Sequence, residues 1–106
     1  MNPYYDVSTI EASPDKVMAK RLIACIIRFT DALYAAKKEP RLMYKILQGI
    51  QTLVFTPLNM LFTDKALAAD EVKIRTWFQR AQSGDIPNVL EVKTMLDKIA
   101  LLLESS

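Results

Sequence analysis

Ser13-Pro14-Asp15-Lys16-Val17-Met18-Ala19-Lys20-Arg21-Leu22-Ile23-Ala24-Cys25-Ile26-Ile27-Arg28-Phe29-Thr30-Asp31-Ala32-Leu33-Tyr34-Ala35-Ala36-Lys37 is the stretch on which the fold turns. It opens like a helix. Ser13 is suited to cap, Pro14 to the first helical position, and Asp15 to the positive end of the helix dipole. At about 100° per residue, Lys16, Lys20, Arg21, Arg28, Asp31 and Lys38 gather on one side. Met18, Leu22, Cys25, Ile26, Phe29, Leu33 and Ala36 gather opposite them and form the core stripe. Ile23, Ile27 and Tyr34 belong to neither group. They make a second apolar strip beside the charged face.

Reading outward, punctuation divides the remainder into three more helical segments. Glu39-Pro40 breaks the first helix near residue 37, and a second is expected from about 41 to 62, with Pro57 kinking or ending it. Thr63-Asp64 offers caps for a third, from about 65 to 82. Ser83-Gly84-Asp85 closes that one, because Gly84 suits a left-handed C-terminal position. Asp85 and Pro87 then open the last helix, about 86 to 104. Short connections between long helices imply antiparallel neighbours, so the expected fold is all-α: one domain over 1–106, an antiparallel up-down four-helix bundle preceded by an N-terminal segment, 1–12.

Composition agrees and narrows function. The chain has 106 residues, 51% of them hydrophobic and 25% charged, with only two glycines. That is an ordered, helix-favouring composition. The formal net charge is +2 with acids and bases interspersed, unlike the concentrated basic face that phosphate backbones require. No nucleic-acid partner is expected. No apolar run approaches the roughly 20 residues that span a bilayer, and the first residues lack a signal-peptide pattern. No membrane insertion and a cytoplasmic location are expected. Cys25, the single cysteine, lies in an apolar run with no histidine to activate it and reads as a small buried hydrophobe. There is no cysteine pair, phosphate loop or metal-ligand cluster, so neither enzyme activity, cofactor nor metal is expected. Asp70-Glu71 reads as a solvated helix start.

The other helices repeat the surplus. Leu42, Met43, Ile46, Leu47, Ile50, Leu53 and Val54 form the core face of the second, with Tyr44 and Phe55 off it. In the third, Leu67, Ile74, Phe78 and Ala81 point one way, with Trp77 at the edge. The last buries Val89, Val92, Leu96, Ile99 and Leu103, leaving Leu90 and Leu101 outside. A bundle of this size needs one stripe per helix. Extra exposed apolar strips call for a covering partner, so Ile23, Ile27, Tyr34, Tyr44, Phe55, Leu90 and Leu101 are the expected partner-binding residues.

Asn2-Pro3-Tyr4, then Ala12-Ser13-Pro14-Asp15-Lys16-Val17, resembles the opening of the FliS family of flagellin export chaperones. Ala81-Gln82-Ser83-Gly84-Asp85 with Leu90-Glu91-Val92 is similar to that family's junction before its last helix. Ile46-Leu47-Gln48-Gly49-Ile50 matches its second helix in pattern. The resemblance covers nearly the whole chain. It implies a chaperone that holds the disordered C-terminal segment of flagellin, or a related export client, as a helix in apolar grooves and prevents premature polymerisation. It further implies a contact with the flagellar export gate, and an N-terminal segment, with Tyr4 and Tyr5, lying over the groove when no client is bound. The competing class is a small helical inhibitor or immunity-type protein that blocks a folded target.

Overall fold

The computed structural model describes residues 14–61 and 65–105. Among them the chain is all-helical, without a strand: α1 (Pro14–Ala36), α2 (Pro40–Ile50), a π-helical turn (Gln51–Phe55), α3 (Thr56–Leu61), α4 (Lys65–Gln82) and α5 (Val89–Glu104). Since α2, the π turn and α3 follow without a gap, there are four helical stretches, an arrangement compatible with a bundle. α1 packs on α5 and α2, and α2 packs on α4. Tyr4, Tyr5 and the Ser13 and Thr63-Asp64 caps lie outside the described residues.

Stops and starts follow from local chemistry. Glu39 is extended (φ −121°, ψ 94°), as a residue before proline prefers, and Pro40 begins α2. Gly84 takes φ +88°. Its N–H donates to the carbonyl of Ala81 at 3.0 Å, and that of Asp85 to Arg80 at 2.9 Å, the paired bonds of a Schellman close to α4. The last helix begins later than the expected 86. Asn88 is its cap, accepting from the Leu90 N–H at 2.8 Å, while Ile86 and Pro87 stay in the connection.

The core is assembled from one stripe per helix: Leu22, Ile26 and Leu33 of α1, Ile46, Leu47 and Ile50 of α2, Leu67, Ile74 and Ala81 of α4, and Val92, Leu96, Ile99 and Leu103 of α5. Phe29, Phe78, Cys25 and Val89 are half-buried against it rather than enclosed.

Three expectations on the second helix are overturned together. Phe55, expected off the core, is completely buried, whereas Leu53 and Leu42, expected inside, are 54% and 41% exposed. For Phe55 and Leu53 the cause is the π turn. Pro57 has no N–H to offer the carbonyl of Leu53, and its ring crowds that carbonyl. Just upstream the helix widens, so the Thr56 N–H donates to Gln51, five residues back. A wider turn rotates less per residue, which swings Leu53 out and Phe55 in. Leu42 lies before the π turn, in the first turn of α2, at the edge of the core face.

Candidate functional site

The seam between α4 and α5 is open. Here side chains, not backbones, bridge the helices. A groove of about 640 Å³ runs along it, lined by Asp70, Lys73 and Trp77 from α4 and by Leu90, Glu91, Thr94, Met95 and Lys98 from α5. Asp70 is not the solvated helix-start residue its position implied. It is 6% exposed and receives a 2.8 Å hydrogen bond from Lys98 Nζ. Its neighbour Glu71 is held by Asn59 Nδ2 at 2.6 Å and Arg75 at 3.5 Å. The wheel places Asp70 on the same side as Ile74 and Leu67, so its burial was readable from angle. Its charge and position near the helix start concealed it.

The expected partner residues divide by place. Ile27 is 57% and Tyr34 47% exposed on α1, while Leu90 is 63% and Leu101 66% exposed on α5. α1 and α5 pack together. The structure therefore brings the apolar residues of α1 beside α5, with Lys93 and Asp97 between Leu90 and Leu101 along the helix. Lys93 donates to Asp97 at 2.8 Å. That bond, and then the charge of Asp97, holds the Lys93 ammonium above its usual range. Ile23 is half-buried against the core at the edge of this face.

Two expected residues stand apart from this face. Phe55 is sealed in the core by the π register and reaches no partner. Tyr44 is half-buried and stacks on Phe78 with ring centroids 4.7 Å apart, so it joins α2 to α4. It also walls a separate cleft of about 500 Å³ at that end of the molecule.

Among the described residues no group of three or more metal-ligating side chains converges, and no helix is long and apolar enough to cross a membrane. Nothing in the groove sets a nucleophile against a base. What the face offers chemically is apolar area edged by charge. Comparison with known proteins gave no match: no family model, no curated protein and no solved structure is similar to the chain.

Proposed function

We propose that this chain is a flagellar secretion chaperone, built as an antiparallel up-down four-helix bundle, that holds the C-terminal segment of flagellin or a related export client in the cytoplasm. One observation carries the reading: four large apolar side chains, Ile27, Tyr34, Leu90 and Leu101, stand 47–66% exposed on two helices packed against each other. Such a face is a liability unless covered. An amphipathic client helix covers it naturally, because its own stripe repeats at the spacing of these side chains. The open α4–α5 seam begins at Leu90 and extends the same surface. The resemblance of the Asn2–Tyr4 and Ala12–Val17 stretches to the FliS family supplies the client. Ordering a disordered client offsets much of the contact energy, so the complex stays releasable for handover at the export gate. The short connections at 37–39 and 83–88 favour the antiparallel order.

The test titrates a labelled C-terminal flagellin peptide against wild type, Ile27→Lys and Leu90→Lys, with melting temperatures alongside. Wild type is expected to bind, and each variant to bind roughly ten-fold more weakly while melting normally, since apolar anchors dominate such interfaces. Absence of any flagellin binding by wild type removes the client assignment and brings forward the inhibitor or immunity-type reading.

A further inference from the structure

The second cleft does not belong to the apolar face. Pro40, Tyr44 and Ala81 line it together with the exposed Gly84, and Arg41 and Lys45 stand beside them. No acidic side chain lines it. Lys37 and Lys38 lie in the connection leading to it. Residues 37–45 thus hold four cations, Lys37, Lys38, Arg41 and Lys45, against one acid, Glu39. This imbalance exceeds the net +2 of the entire chain, so the stretch that leads into the cleft is cationic. Glu39 is exposed, and its side chain caps nothing at the start of α2. Asp85 lies past the glycine, against Arg80 and Asn88, and lines a different hollow.

We propose that this cleft docks an acidic linear peptide of a partner protein through one apolar or aromatic anchor residue flanked by carboxylates. The volume of about 500 Å³ takes one large side chain together with the peptide backbone on either side of it, and Pro40, Tyr44 and Ala81 give the anchor apolar contact. Arg41 and Lys45 are one helical turn apart on the same face of α2, so they meet carboxylates on both sides of the anchor. A membrane surface would need a broad cationic face with several exposed apolar side chains, and duplex DNA a longer cationic track; both are outcomes of the test. The site is independent of the client face on α1 and α5, and so is its test.

The probe is a fluorescein-labelled peptide of glutamates flanking a central phenylalanine. It is titrated by fluorescence anisotropy against the full chain, beside versions with the phenylalanine replaced by alanine or the glutamates by lysine. Wild type is expected to bind the first saturably, more weakly as salt rises, and roughly ten-fold more tightly than either control peptide. Arg41→Glu/Lys45→Glu is expected to lose binding by roughly ten-fold or more. Lys20→Glu/Arg21→Glu, an equal charge change on α1, is expected to leave it intact. All four side chains are exposed, and melting curves check that both double variants remain folded. Equal loss in the two double variants, equal binding of the alanine peptide, or no saturable binding by wild type would each overturn the proposal. So would binding to phosphatidylserine vesicles or duplex DNA that depends on Arg41 and Lys45 when the peptide does not bind.

Discussion

Lys98 reaches from α5 to α4 and sets its Nζ 2.8 Å from Oδ2 of Asp70, whose side chain is only 9% exposed while that of Lys98 is 51% exposed. The pair crosses the seam where α4 and α5 leave a groove between them. Its energetic weight falls on the buried partner, because a carboxylate withdrawn from water needs its donor while the ammonium can return to solvent.

Replacing Lys98 with Met is therefore expected to destabilise by about 1–3 kcal/mol, less than breaking a fully buried pair because Lys98 is half exposed. Adding Asp70→Asn should recover part of the loss, since a neutral amide is cheaper to leave unpaired. Denaturant titrations of the two single variants and the double variant give the coupling. A Lys98→Met protein as stable as wild type would mean that water already satisfies Asp70.

Gly49 and Phe29 make a second close fit. A Cβ on Gly49 would stand 2.9 Å from two atoms of the Phe29 ring, so α1 and α2 approach where the glycine leaves room. Gly49→Ala gains about 1 kcal/mol of helix propensity but must displace the ring, and overpacking costs about 1–3 kcal/mol. The variant is expected to be less stable than wild type. In a Phe29→Leu background the clash disappears, and the same change should become stabilising. A change of equal sign in both backgrounds would contradict the fit.

The π turn gives the most direct comparison. Phe55→Ala is expected to cost about 3–5 kcal/mol, as for a fully enclosed aromatic, and Leu53→Ala less than about 0.5–1 kcal/mol. An uninterrupted α-helix requires the reverse order. Urea melts of the two variants decide which register the chain adopts.

That pair also marks the limit of what the sequence discloses. Helix limits at Ala36, Pro40, Gln82 and Gly84 were legible, because proline and glycine act locally. So was the α1 stripe of Leu22, Ile26 and Leu33, which depends on one constant period. Phe55 and Leu53 were not, because a π turn changes the period and leaves no mark in composition beyond Pro57. Asp85 with Pro87 carries as strong a generic start signal as Asn88, the true cap, but sits in the connection. Of the expected partner face, Ile27, Tyr34, Leu90 and Leu101 are exposed as the wheel placed them. The burial of Asp70 follows from its angle beside Ile74 and Leu67, but the partner that makes it tolerable, Lys98, lies 28 residues away, a pairing no local pattern contains.

Lys93 is expected to titrate above the ordinary lysine value of 10.5, since the hydrogen bond to Asp97 comes first among the causes and favours the ammonium. A raised value means that the stabilisation is fully present below the unfolded lysine range and is lost as pH rises through the folded value. Nitrogen-detected NMR of the lysine Nζ groups should show Lys93 titrating late, and Asp97→Asn should return it to the range of other lysines. An unchanged titration in Asp97→Asn would assign the shift elsewhere.

Trp77, the chain's single tryptophan, separates the two proposed surfaces by its position. It lines the α4–α5 groove beside Leu90 and Glu91 and takes no part in the Pro40–Tyr44 cleft. It is half-buried, so its indole still meets solvent. A client helix laid along Leu90 and into the groove should exclude that water and shift the emission to shorter wavelength. An acidic peptide in the other cleft should leave the emission where it is. Titrating each peptide while recording Trp77 emission tests both placements in one protein. Leu90→Lys should abolish the shift with the client peptide, and Arg41→Glu/Lys45→Glu should preserve it. A client that binds tightly without moving the emission would lie wholly on the Ile27, Tyr34 and Leu101 side, leaving the groove empty. A shift produced by the acidic peptide would put it in the α4–α5 groove instead, where Lys73 and Lys98 are the available cations.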